Sequence, residues 1–68
     1  MVNSSSRDDE SLLNEAEAAK FLAVSVRTLQ AWRTRDSGPP FVRLGRAIRY
    51  RLKDLIEWVR SNTCLPKA

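Results

Sequence analysis

Residues 13–34 read LNEAEAAKFLAVSVRTLQAWRT, and this stretch predicts two short helices joined by a tight connection. Asn14 can cap the first helix, and Glu17, three residues later, can bond back to the Asn14 amide, as in a capping box. The segment from Glu15 to Leu22 then forms the first helix, since its alanines and Leu22 share one face and alanine is the strongest helix former.

The second helix is predicted from Val26 to about Thr34, with Ser25 as its N-cap. Leu29 and Trp32 give it an apolar side. On a helical wheel, four residues lie on the side away from Leu29: Arg27, Gln30, Ala31 and Thr34. Arginine can bond guanine, glutamine can bond adenine and threonine can bond phosphate, while alanine permits close approach. This composition favours a base-reading helix, although an ordinary solvent-exposed face has a similar composition.

A loop is expected at 36–40, because two prolines there cannot continue the helix. The segment 41–50 then predicts a β-hairpin. Two bends are possible. A two-residue turn at Gly45 and Arg46 mixes charge into the apolar face, whereas a three-residue loop that also includes Ala47 does not. We therefore expect the three-residue loop, with Arg46 at the tip.

In that register Leu44 opposes Ile48 and Val42 opposes Tyr50. Arg43 and Arg49 then lie together on the far face of the hairpin. Like charges directly opposite each other destabilise a sheet, so this register implies a phosphate between the two arginines.

The last helix is predicted from about Lys53 to Ser61 and closes the core. Leu55 and Trp58 are expected to pack on Leu29, Trp32, Leu22 and Ile48, with both tryptophans serving stability rather than base stacking. The expected organisation is a disordered tail at 1–11, one domain at 12–62 and a short tail at 63–68. The fold class is α+β, mainly α, with two N-terminal helices, a two-stranded hairpin and a C-terminal helix.

Charge is unevenly distributed along the 68 residues, whose net charge is +4. Residues 1–20 hold five acidic and two basic residues, whereas residues 27–53 hold eight basic residues and one acidic residue, a local charge of +7. Seven of those eight cations are arginine, which can bond phosphate or guanine through two parallel hydrogen bonds. The block favours a polyanionic partner, though a solvated basic face is the alternative.

Several classes of function are excluded by composition. The chain has no histidine and one cysteine, so an internal disulfide and the usual zinc sites cannot form, and the commonest general base is missing. We expect no cofactor, no metal and no enzymatic activity. The longest apolar run is four residues, so we expect no membrane association and a soluble, cytoplasmic protein.

The order of these motifs resembles the excisionase-type family of DNA-binding proteins. The resemblance begins with residues 13–29 and continues through Trp32-Arg33, the two prolines, VRLGR at 42–46, IRY at 48–50 and DLIEW at 54–58. It implies a winged helix-turn-helix related to the DNA-binding part of the MerR regulators, a group that includes phage excisionases and AlpA-like prophage regulators. The resemblance also implies that the second helix enters a major groove and that the wing at 45–47 approaches the backbone or a minor groove.

Two residues depart from the family pattern. Ala23 replaces a glycine that is common in the turn, which suggests a turn residue that needs no positive φ. Lys53 stands where a serine or threonine cap often opens the last helix, so the start of that helix should be weaker by ~1 kcal/mol.

The resulting hypothesis is a sequence-specific double-stranded DNA-binding protein. It would act as an excisionase-like recombination directionality factor that bends DNA and assists a site-specific recombinase, with further copies on adjacent sites. It would be monomeric without DNA and associated with the nucleoid. A prophage or mobile-element transcription regulator of AlpA type would use the same surface, and a protein-interaction module with an acidic partner is a third hypothesis. The predicted DNA-binding residues are Ser25, Arg27, Thr28, Gln30, Ala31, Arg33, Thr34, Arg35, Arg43, Arg46, Arg49 and Arg51.

Overall fold

Three helices and three short strands form the part of the chain that the computed structural model describes, residues 11–66. In chain order they are β1 (Leu12–Leu13), α1 (Glu15–Leu22), α2 (Val26–Thr34), β2 (Val42–Leu44), β3 (Ala47–Arg51) and α3 (Leu52–Ser61). The strands pair antiparallel in the order β1-β3-β2. This α+β arrangement is consistent with a winged helix-turn-helix. The tail predicted to be disordered lies outside the described residues, except for Ser11.

The predicted bounds of α1 and α2 are confirmed, and so are their caps. The Glu17 amide donates to Asn14 Oδ1 at 2.8 Å, and the Asn14 amide donates to Glu17 Oε1 at 2.9 Å, which completes a capping box. Ser25 Oγ accepts from the Thr28 amide at 3.0 Å. Local side-chain chemistry therefore sets where both helices begin.

The turn between α1 and α2 corrects one expectation. Ala23 has φ 60° and ψ 39°, the left-handed conformation that the sequence was expected to avoid. Its amide donates to the Lys20 carbonyl at 3.1 Å, and the Val24 amide donates to the Ala19 carbonyl at 3.0 Å. These two bonds form a Schellman motif, which satisfies the last carbonyls of the helix. The prediction was wrong because this termination requires positive φ whether or not glycine is present.

The bend of the hairpin corrects a second expectation. Leu44 pairs with Ala47, Arg43 with Ile48 and Val42 with Arg49, so the connection is a two-residue turn at 45–46. Gly45 has φ +64°, and a type II′ hairpin turn calls for a positive φ at this first position. The three-residue loop was therefore wrong.

The inward face of the hairpin explains why the shorter turn forms. Tyr50 is buried and its ring centroid lies 6.1 Å from that of Phe41, so Phe41 contributes to the inward face in place of Val42 and Leu44. This register places Arg43 opposite Ile48, on the same face of the hairpin. The Arg43 guanidinium lies 5.7 Å from the Phe41 ring centroid, and this cation–π contact stabilises the charge there. Arg43 and Arg49 do not oppose each other, so the inference of a phosphate between them loses its basis.

A first strand that the sequence analysis did not predict completes the sheet. Leu13 pairs with Tyr50, and the Leu52 amide donates to the Ser11 carbonyl at 2.9 Å. The wing therefore has a third strand that ties the start of the domain to β3.

The core lies where α1, α2 and α3 meet the sheet. Its buried residues are Ala18, Ala19, Leu29, Tyr50 and Leu55. Leu22, Trp32 and Ile48 pack against this cluster, which confirms the predicted packing of the last helix. The rings of Trp32 and Trp58 lie 5.3 Å apart at 48°, a tilted pair that joins α2 to α3.

The start of α3 differs from the prediction by one residue. The helix begins at Leu52, and Arg51 occupies its N-cap position with no side-chain capping bond. Asp54 in the first turn instead pairs with Arg51 at 3.3 Å.

The loop after α2 runs close to Trp32. The Ser37 amide donates to the Trp32 carbonyl at 2.8 Å, and Asp36 and Gly38 both adopt positive φ. A Cβ on Gly38 would lie 2.8 Å from Trp32 Cβ. This loop therefore turns back directly against the helix that precedes it.

Candidate nucleic-acid interface

The outward side of α2 is polar and accessible. Leu29 is buried on the opposite side, and Trp32 packs towards α3. Arg27, Gln30 and Thr34 are exposed, and Ala31 is half-buried between them. The surface that the wheel predicted is therefore present as a geometric feature, with one arginine and one amide exposed to solvent.

The N-terminus of α2 is held by two of the predicted site residues. Ser25 Oγ accepts from the Thr28 amide, and it also donates to Thr28 Oγ1 at 2.9 Å. Ser25 is exposed and Thr28 is half-buried. The Ser25 hydroxyl thus caps the helix, the Thr28 hydroxyl accepts its proton, and the two bonds fix the entry of the chain into the helix.

Glu15 at the start of α1 reaches two residues of α2. Its Oε1 accepts from Gln30 Nε2 at 3.1 Å, and its Oε2 accepts from Arg33 Nη1 at 2.5 Å. Sequence reasoning missed this carboxylate, because it was considered only as a residue of the helix start. The separations of 15 and 18 residues leave no local pattern that would have found it.

Arg33 is engaged on several sides within the protein. Its Nη1 also donates to Tyr50 Oη at 3.3 Å, and its guanidinium lies 5.7 Å from the Phe41 ring centroid. Only 22% of its side chain is exposed. The hydrogen bond with Tyr50 raises the pKa of Arg33, and the bond and charge of Glu15 act in the same direction against partial burial.

The same contacts act on the Glu15 carboxyl. Partial burial alone would raise its pKa, but the hydrogen bonds from Gln30 and Arg33 and the positive charge of Arg33 outweigh burial. The pKa of Glu15 therefore lies below the usual range for glutamate. The carboxylate is ionised at neutral pH and can only accept hydrogen bonds.

The remaining predicted arginines differ in what they contact. Arg46 is exposed in the hairpin turn, and Arg35 is exposed at the C-cap of α2. Arg43 is exposed beside Phe41. Arg49 is half-buried and donates from Nη1 to the Ile48 carbonyl at 2.8 Å. Arg51 has an acidic partner in Asp54.

A cleft brings the two basic elements together at the start of α1. One part is formed by Arg33 of α2 and by residues 14–16, and the other by residues 46–49 of the hairpin. The cleft has a volume of about 500 Å³ and is open to solvent. It therefore makes α2, the start of α1 and the hairpin neighbouring parts of one basic surface rather than separate patches.

Residues 11–66 lack two features that other classes of protein carry. No group of three or more carboxylate or thiol side chains lies close enough to hold a metal ion. None of the helices in this range is both long and apolar enough to cross a membrane.

Comparison with known proteins identifies the family to which this fold belongs. A family model described as a helix-turn-helix domain matches residues 12–63, which is most of the chain and includes all six elements. No curated protein matches the chain. The match supports DNA as the partner that the helix-turn-helix fold implies, while the relation to MerR regulators stays a prediction. The chain belongs to the helix-turn-helix domain family, a family of small DNA-binding domains that includes AlpA-like and excisionase-like proteins.

Proposed function

We propose that this chain is a sequence-specific double-stranded DNA-binding protein that assists a site-specific recombinase by bending the duplex. In this role α2 enters the major groove and the hairpin turn approaches the adjacent backbone or minor groove. The protein would then act on the nucleoid in the cytoplasm, and it would have no catalytic residue. The family includes both excisionase-like and AlpA-like proteins, and the experiment below distinguishes recombination from promoter control.

The observation that carries DNA binding is the shared basic surface around the cleft. An exposed polar helix face and an arginine-bearing hairpin are the two parts with which a winged helix-turn-helix can contact a groove and the neighbouring backbone. Residues 46–49 of the hairpin and Arg33 of α2 line the cleft at the start of α1, and Gln30 of the polar helix face bonds to Glu15 in the same lining. This geometry supports simultaneous contact with one duplex.

The predicted site residues would contact different parts of the duplex. Arg27, Gln30 and Thr34 would contact base edges or phosphates in the major groove, with Ala31 permitting close approach. Ser25 and Thr28 would hold the helix end near the backbone. Five of the seven predicted site arginines have no acidic partner among the described residues, and these, which we call the DNA-facing arginines, would contact DNA: Arg27, Arg35, Arg43, Arg46 and Arg49.

Two predicted site residues receive a supporting role in this proposal. Arg33 and Arg51 each pair with a carboxylate of the same chain, at Glu15 and Asp54. A guanidinium already paired offers less net charge to a phosphate, so we assign both to positioning α2 and the end of the hairpin.

The test is selection of bound duplexes from sheared genomic DNA of the source organism, followed by sequencing and mapping of site spacing. Clustered direct repeats beside an attachment site are expected. Circularly permuted duplexes carrying those sites should show a position-dependent gel mobility, which reports bending. Sites over a promoter alone would replace the recombination role with transcription regulation.

A paired set of variants tests the surface itself. Arg27→Ala combined with Gln30→Ala should weaken specific binding by ~2–5 kcal/mol, because two base contacts are lost, while the circular dichroism spectrum stays unchanged. Arg60→Ala on exposed α3 removes a positive charge elsewhere and serves as the matched control. Unchanged duplex binding by the double variant would reject α2 as the reading helix and favour a protein-interaction module.

A further inference from the structure

The amide of Gln30 has a fixed orientation because of its neighbour. Glu15 is ionised and presents only acceptors, so the side of Gln30 that faces it must be the Nε2 side, at 3.1 Å. The Gln30 carbonyl oxygen then points away from Glu15, with one N–H left over. An amide on an exposed helix normally has no such constraint, since its two ends are nearly equal in shape.

This orientation matters for reading a base pair. Adenine presents an N6–H donor beside the N7 acceptor in the major groove, whereas guanine presents two acceptors, O6 and N7. An amide that offers an oxygen and one N–H matches adenine. The same amide brings its oxygen against O6 of guanine, and two acceptors repel.

We infer that Glu15 is a positioning residue for base specificity: by accepting the Nε2 hydrogen of Gln30 it makes that residue select adenine over guanine. The inference rests on the proposed DNA-binding function and adds to it the residue that sets one base preference. Glu15 itself need not touch DNA.

Arg33 completes the arrangement. It donates to Oε2 of Glu15 while Gln30 donates to Oε1, so the two carboxylate oxygens serve different partners. Tyr50 and Phe41 hold the guanidinium in place from the other side. The Glu15 side chain is thus anchored in the direction that orients Gln30.

An isosteric change at Glu15 yields a prediction with a definite sign. In Glu15→Gln the guanidinium of Arg33, which can only donate, draws the new carbonyl oxygen to itself. The new NH2 group then faces Gln30 and turns the Gln30 oxygen inward. Gln30 would present its NH2 group outward, which suits the two acceptors of guanine.

The experiment is selection from a randomised duplex library by four proteins: wild type, Glu15→Gln, Glu15→Ala and Gln30→Ala. Wild type is expected to prefer adenine over guanine at one position by about fivefold or more. Glu15→Ala and Gln30→Ala should lose the preference at that same position alone, and Glu15→Gln should shift it towards guanine. Glu57→Gln, which removes the same charge from an exposed site on α3, is the control and should select as wild type does.

The outcomes separate the two proposals. If wild type selects a consensus and Glu15→Gln and Glu15→Ala both retain its adenine preference, the positioning role is rejected and DNA binding stands. If Glu15→Ala weakens every position equally, Glu15 serves stability only, which also rejects the inference. If wild type selects no sequence at all, the proposed function itself fails.

Discussion

Replacing Gly38 by alanine should be far more damaging than replacing Gly45 in the same way, although both glycines have positive φ. Gly38 has φ +85° and its new Cβ would lie 2.8 Å from Trp32 Cβ and 3.2 Å from Trp32 Cε3. Gly45 has φ +64° and a Cβ there meets nothing within 4 Å. Both variants therefore carry the strain of a positive φ, and only Gly38→Ala adds a steric clash.

The magnitudes follow from these contacts. A residue with a Cβ held at these positive φ values costs roughly 1–3 kcal/mol at either position. Overpacking against a ring adds about 1–3 kcal/mol, and only Gly38→Ala incurs it. Since 1 kcal/mol corresponds to about 4–8 °C in a domain of this size, the Tm of Gly38→Ala should fall below that of Gly45→Ala by about 4 °C or more.

Thermal unfolding followed by circular dichroism measures this difference directly. A Gly38→Ala protein that is already unfolded beside a folded Gly45→Ala protein would agree with the reasoning. Equal losses in Tm for the two variants would refute it, because the contact between the loop and Trp32 would then carry no energetic weight.

Ala23→Gly should raise the free energy of unfolding by about 0.5–1 kcal/mol in urea denaturation, because glycine relieves the left-handed strain at the end of α1; a decrease would contradict the strain. The lowered pKa of Glu15 contributes stability that is present above the ordinary glutamate pKa of about 4.3 and is lost as the pH falls through the folded-state pKa. Acid denaturation should therefore be shallower in Glu15→Gln than in wild type, and superimposable pH profiles would argue against the pair. Duplex binding should weaken with salt at a logarithmic slope of about −4.5 if each DNA-facing arginine releases one counterion, or about 500-fold between 50 and 200 mM; a slope near −1 in a salt titration would contradict the assigned surface.

Local signals in the sequence were sufficient to predict where the helices lie. The capping box at Asn14 and Glu17 and the cap at Ser25 act over three residues, so the bounds of α1 and α2 could be derived without tertiary information. The apolar spacing in α3 likewise predicted the packing of Leu55. These elements depend on contacts between near neighbours in the chain.

The errors share a tertiary cause. The hairpin bend was decided by Phe41, which takes the inward position because its ring meets Tyr50, and alternation within the hairpin alone pointed to Val42 and Leu44. Strand β1 has two residues, too few for a periodic pattern, and exists only because β3 pairs with it. Ala23 adopts a positive φ because the hydrogen bonds that end α1 require it, although alanine by itself prefers a negative φ.

In the candidate site, too, local patterns could be predicted and contacts between elements could not. A helical wheel was enough to place Arg27, Gln30 and Thr34 outward, because the pattern lies within one helix. The wheel could not show that Arg33 turns towards Glu15 and Tyr50, since those contacts depend on how α1 and the sheet cross α2. Counting charges could not show that Arg33 and Arg51 have acidic partners within the chain.

The contact between Trp32 and Trp58 provides an intrinsic spectroscopic probe of the protein. These are the two tryptophans of the chain, one on the helix proposed to read DNA and the other on the helix that closes the core. With ring centroids 5.3 Å apart, their emission and near-ultraviolet dichroism are sensitive to any movement of α2 against α3. Movement between the two helices during DNA binding can therefore be followed in real time without attaching a dye.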